Sequence, residues 1–169
     1  MTGLESIFKL PLELSIRLAQ NEDFQRLLVV DSPNPATAEF TKRSWDELVN
    51  EGYMDIAPVM FKDGVTQSGV NTFACVLLDD MSFYNTDNHI YVSGRIHLGT
   101  TSNLQRLHNN ELRLLKMAGE VKKTLDDHKF SASGKLEITS ISSIAYSESV
   151  FGYVINFRTK EQEERTVDI

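Results

Sequence analysis

Apolar and polar residues alternate in several stretches after residue 70. In His89–Leu98, Ile90, Val92, Gly94, Ile96 and Leu98 fall on one side, and Tyr91, Ser93, Arg95 and His97 on the other. A period of two is that of a half-buried strand. Thr72–Leu78 reads as a shorter strand before it, joined to it by the polar connection Asp79–Asn88. Leu136–Ile144 sets Leu136, Ile138, Ser140 and Ser142 against Glu137, Thr139, Ile141 and Ser143. Phe151–Thr159 sets Phe151, Tyr153, Ile155 and Phe157 against Gly152, Val154, Asn156 and Arg158. Between the second and third strands the period changes. Leu107, Leu114, Ala118, Val121 and Leu125 step by three, four or seven, which predicts one long amphipathic helix over Asn103–Lys129. Asn103 is its expected cap, and Leu104 and Leu115 widen the stripe. The heptad does not persist, so the stripe is one that packs on a sheet rather than a coiled-coil seam.

The N-terminal part reads as short helices. Pro11 suits a first helical turn, and Leu12, Ile16, Ala19 and Leu18 mark the apolar side of the helix after it. Asn21 and Asp23 are candidate caps for a second helix facing inward with Phe24, Leu27 and Leu28. The prolines in Asp31-Ser-Pro-Asn-Pro-Ala end it. Ser44 with Glu47 predicts a capping box for a helix over Trp45–Asn50, stopped by Gly52. Ile56, Pro58, Val59 and Phe61 look extended, and Phe61–Asn71 is a polar loop. The expected fold class is therefore α+β: a small, mostly antiparallel sheet packed by one long helix, with short N-terminal helices, in the order α-β-β-α-β-β. Residues 1–169 suit a single domain. The charged segment Lys160–Ile169 is expected to be a flexible C-terminal arm.

Bulk properties narrow the function. The 169 residues are 41% hydrophobic and 24% charged, with a formal net charge of -7. Gripping phosphates needs clustered cations, so this balance argues against specific nucleic-acid binding and permits a surface past which DNA slides. The single cysteine, Cys75, forbids an internal disulfide and reads as a buried small hydrophobe. Charged residues interrupt Met1–Leu18, which leaves no signal-peptide core, and no run reaches the roughly 20 apolar residues of a membrane span. A protein made in the cytoplasm, with no membrane partner, is expected.

Catalytic motifs do not emerge. His89, His97, His108 and His128 lack metal-ligand spacing; His97 and His108 could meet only by a coincidence of strand and helix. Asp79-Asp80 and Asp126-Asp127 read as solvated turn residues rather than an acid–base pair. Gly64, Gly69 and Gly94 form no phosphate-cradling loop. No catalytic, cofactor-binding or metal residues and no cofactor are assigned, and no enzyme is expected. Were there a ligand site, Tyr91, Arg95, His97 and Asp126 would be its polar candidates. Leu104, Arg106, Leu107, Arg113, Lys116, Lys122 and Lys123 read as a basic outer face of the long helix, either solvated or a contact strip for an acidic neighbour. The tail Glu161–Glu164 from another subunit is one such neighbour.

Two stretches carry a family resemblance. The first is Leu18-Ala-Gln-Asn-Glu-Asp-Phe-Gln-Arg-Leu-Leu-Val-Val-Asp-Ser-Pro-Asn-Pro. The second is Ile90-Tyr-Val-Ser-Gly-Arg-Ile-His-Leu, with the helix after Asn103 and the strands ending in Tyr153-Val-Ile-Asn-Phe. Together they resemble the tail-terminator and neck (head–tail connector) proteins of tailed bacteriophages. The resemblance implies a structural virion protein that self-associates into a ring, commonly a hexamer, at the head–tail junction. Such a ring ends tail-tube polymerisation and joins tail-tube protein to capsid connector proteins, with DNA passing through its lumen without specific binding. A head-closure or other connector role, a small ligand-binding domain and a peptide-binding domain are the alternatives. The segments Lys160–Ile169 and Phe61–Asn71 are the expected contact arms.

Overall fold

The computed structural model describes residues 9–56, 70–83, 90–130 and 134–160. Over these the protein is α+β. Its elements are α1 (Leu10–Gln20), α2 (Glu22–Val29), α3 (Trp45–Asn50), β1 (Met54–Ile56), β2 (Thr72–Phe83), β3 (Ile90–Thr101), a 3-10 turn (Ser102–Leu104), α4 (Arg113–Leu125), β4 (Lys129–Phe130), β5 (Gly134–Ala145) and β6 (Val150–Lys160). The six strands form one sheet in the order β1-β2-β3-β6-β5-β4. β1 runs parallel to β2, and all other neighbours are antiparallel. The four expected strands make the centre of the sheet, and the short β1 and β4 lie at its two margins.

The four described helices all contribute to one core. Leu10, Leu14 and Leu18 of α1, Phe24, Leu27 and Leu28 of α2, Leu48 of α3, and Leu114, Met117, Val121 and Leu125 of α4 meet Ala74, Val76, Ile96, Leu98, Leu136, Ile155 and Phe157 of the sheet. Local signals place the N-terminal helices as expected. The Asn21 side chain accepts from the Phe24 N–H at 3.0 Å. At α3 the Ser44 hydroxyl accepts from the Glu47 N–H and the Glu47 carboxylate accepts from the Ser44 N–H at 2.6 Å, a complete capping box. Gly52, at φ 83°, ends the segment in the left-handed region that favours glycine.

Three expectations are corrected. First, the buried stripe of α1 is Leu10, Leu14 and Leu18, while Leu12 and Ile16 stay 36% exposed. Two apolar stripes share this helix, and contact with β1 and β2 selects one.

Second, the long helix begins ten residues later than Asn103 and is four residues shorter at its end, so α4 has 13 residues. Asn103 lies in the 3-10 turn and caps nothing there. Between them Asn110 takes φ 63° and its N–H donates to the Leu107 carbonyl, while the Glu111 N–H donates to the Asn109 side chain. Asparagine side chains offer the backbone these alternatives to a helix, and the Asn109-Asn110 pair uses them. Leu107 is buried, as its place in the apolar stripe requires, but from this turn. Leu115 is 48% exposed.

Third, β5 carries a bulge between Ile138 and Ser140. Beyond it Ile141, Ser143 and Ala145 oppose Ile155, Tyr153 and Phe151, on the face that carries the helices. The alternation in the sequence puts Ile138 and Ile141 on opposite faces; the extra residue Thr139 puts them on the same one.

The tail beyond Lys160 and most of the Phe61–Asn71 loop lie outside the described residues, as do Pro58, Val59, Phe61 and His89. No helix among the described residues is long and apolar enough to cross a membrane.

Candidate functional site

The polar residues singled out from the sequence do not converge. Tyr91, Arg95 and His97 lie along β3 at alternate positions, on the sheet face away from the helices, but they are strung out along one strand and Asp126 is not among them. Arg95 pairs with Asp79 at 2.6 Å, and Asp79 is the extra residue of a bulge in β2. Asp126 ends α4, where its Oδ1 accepts from the Ile138 N–H at 2.9 Å. His108 sits in the turn before α4, beside the Pro33 carbonyl, and is not brought to His97. No group of three or more metal-ligating side chains occurs among the described residues. The basic outer face is also smaller than expected. Lys116, Lys122 and Lys123 are exposed, but Arg113 is fully buried.

His97 belongs to a small buried cluster. It is 5% exposed, lies opposite Cys75 in the β2–β3 register, and has its Nδ1 2.8 Å from the Tyr146 hydroxyl. Phe73 stacks edge-on to Tyr146 at 5.3 Å. Burial, then the Arg95 charge, push the His97 pKa below its ordinary value, and burial pushes Tyr146 well up. A neutral imidazole thus links β3 to the turn between β5 and β6. The cluster is closed to solvent, so it holds that turn rather than receiving a substrate.

A groove of about 450 Å³ lies where α1 and α4 end, lined by Arg17, Gln20, Asn21, Lys123, Asp126 and His128 among others. Its cations face the carbonyl ends of two helices, whose partial negative charge they complement. Asn21 is engaged with Glu120 and Thr124 across the groove. The arrangement ties two helix ends together.

The outer edge of β5 differs from both. β4 pairs only with Gly134 and Lys135. The next outward main-chain groups are also engaged: the Leu136 N–H donates to the His128 carbonyl and the Ile138 N–H to Asp126. From Ser140 to Ala145 no described strand covers this edge. The Tyr146 N–H donates to the Val150 carbonyl, so by the alternation of an antiparallel ladder Ile144, Ser142 and Ser140 turn their main chain toward β6. Ile141, Ser143 and Ala145 therefore turn theirs outward. Residues 138–145 read Ile-Thr-Ser-Ile-Ser-Ser-Ile-Ala, with no charge and no proline. Charges, prolines and short length are the usual guards of an exposed edge, and this one lacks them. Ile141 and Phe151 are each 41% exposed beside it. The edge could not be found in the sequence, because the outward positions depend on the bulge at Thr139.

Residues 21–159 match the family model described as YomW. No curated protein matches the chain.

Proposed function

We propose that this chain, which belongs to the YomW family, is a structural component of a phage particle rather than an enzyme. In this reading it forms a ring at the head–tail junction, ends tail-tube polymerisation and joins the tail to the capsid connector. The observation that carries the reading is the unguarded outer edge of β5. A ring forms when each subunit offers unlike patches that close after a fixed rotation. An open strand edge is such a patch, since its main-chain groups take an extended segment of a neighbour in a defined register. The family's name has the form used for proteins of Bacillus phage regions, which supports a phage-associated protein. The net charge of -7 suits a ring that DNA crosses without sticking. The same edge also fits an extended peptide of another protein, and this is the second reading.

Light scattering over a concentration series, with negative-stain images of the same samples, tests the proposal. Closed particles with one fixed number of subunits are expected at high concentration or on mixing with tail-tube protein. The resemblance described above implies six. Absence of rings under both conditions, together with capture of extended peptides, sinks the ring and leaves the peptide binder.

A further inference from the structure

We propose that in the free protein a second copy of this chain covers the β5 edge, through a twofold antiparallel pairing of β5 with β5 centred on Ser143. The outward main-chain groups decide the register. Ile141, Ser143 and Ala145 are spaced by two, so a twofold axis through Ser143 pairs Ile141 with the partner's Ala145, Ser143 with itself, and Ala145 with the partner's Ile141. Each such pair exchanges two main-chain hydrogen bonds, six in all. An axis at Ser142 or Ile144 makes only two of these pairs. An axis at Ile141 runs into the bulge at Thr139, and one at Ala145 runs off the end of the strand.

The side chains agree with this register. On the helix-bearing face Phe151 lies opposite Ala145 in the β5–β6 pairing. The partner's Ile141 would lie on the other side of the same Ala145. The small alanine leaves room above it for Phe151 and Ile141, the two exposed large hydrophobics among the described side chains of the sheet, to meet. On the opposite face Ser142 would lie against the partner's Ile144. No charge from either copy falls within residues 138–145, so nothing in the strand opposes the contact.

The inference deepens the proposed function and rests on it for one consequence. A ring between a head and a tail has unlike ends, so its subunit contacts run head-to-tail, and a twofold contact cannot be one of them. The dimer therefore occupies the edge before assembly and must open for a ring to close.

The test uses the full chain. Wild type at low concentration is expected to have twice the 19.1 kDa chain mass. In Ser143→Cys the two thiols face each other across the axis, at a Cα separation of about 5.5 Å that a disulfide accepts. This variant is expected to give a covalent dimer in non-reducing electrophoresis, and Ser142→Cys is not. Ser143→Pro removes an N–H that points away from β6, so the sheet is kept; single-chain mass with unchanged circular dichroism is expected. Wild type at single-chain mass throughout, equal cross-linking of both cysteine variants, or a dimeric Ser143→Pro overturns the pairing. Oxidised Ser143→Cys should form no rings until reduced, and rings from the locked dimer overturn the capping role. Dimers that never proceed to rings uphold the pairing and refute the ring.

Discussion

Arg113 shows how far a single residue can depart from its pattern. By spacing it sits among the cations of an exposed helix face, yet it is the largest fully buried side chain. Its guanidinium donates to the carbonyls of Leu104 (2.9 Å), Leu27 (2.6 Å), Val30 (2.9 Å) and Ser32 (2.5 Å). Leu27 and Val30 close α2, so a positive charge meets the negative end of that helix while satisfying carbonyls that the helix leaves open. One side chain thus fixes α2, the proline turn after it and the start of α4. Arg113→Met should lower unfolding stability by about 3 kcal/mol, since several buried acceptors lose a charged donor at once. Arg113→Lys should recover only part, because an ammonium cannot span the same fork. Urea unfolding of the three proteins checks both. His97 carries a second prediction. Its folded pKa lies below the ordinary 6.5. As pH falls below 6.5 the unfolded chain takes up a proton that the folded chain refuses, so stability falls by at most about 1.4 kcal/mol per pH unit until the folded pKa is reached. Above 6.5 the stability is fully present. His97→Gln should flatten the melting-temperature profile between pH 6.5 and 5, and an unchanged slope there would remove the assignment. Glu47 and Glu111, whose pKa values are depressed below 4.5, lose their contribution only at lower pH.

Among elements, two bulges do most to separate the sheet from its sequence pattern. Asp79 in β2 and Thr139 in β5 each insert one residue, and after each the side chains change face. Close approach matters equally. A Cβ on Gly94 would lie 2.3 Å from the Leu77 carbonyl oxygen and 2.5 Å from the Phe157 ring. Gly119, inside α4, has nothing within 4 Å of that position. Gly94→Ala should therefore cost about 3 kcal/mol or abolish folding, whereas Gly119→Ala should add about 1 kcal/mol by restoring helix propensity. Thermal unfolding of the pair gives changes of opposite sign if the two glycines have these roles. The capping box at Ser44 and Glu47 is the contrary case. Its bonds lie within three residues, so sequence reasoning places α3 to the residue.

For the whole molecule, the proposed assembly depends on a sheet edge that no described strand covers. β1 and β4 are short margin strands, but they leave different exposures. Asp127, at φ 56°, turns the chain from α4 into β4, which covers only the first residues of β5. The uncharged run beyond it is an outer edge that no described strand covers, in a chain of net charge -7. In the proposed pairing, copies that repel each other over most of their surface meet where that repulsion is absent.

The amino-acid sequence by itself determined the α+β class, the four central strands, the short N-terminal helices and their caps. Each of these rests on periodicity or on hydrogen bonds that reach only a few residues. Tertiary structure alone decided that Leu10 and Leu14 rather than Leu12 and Ile16 face inward beside Leu18, and that Arg113 turns into the core. It also decided that Ile141 shares a face with Ile138 and that no described strand covers β5 from Ser140 to Ala145. These depend on partners 14 to 86 residues away, such as Ile155 opposite Ile141 or the Leu27 carbonyl on Arg113, and on bulges that shift the phase of a strand. Local patterns count residues along one strand or helix; they carry no record of which neighbour arrives beside it.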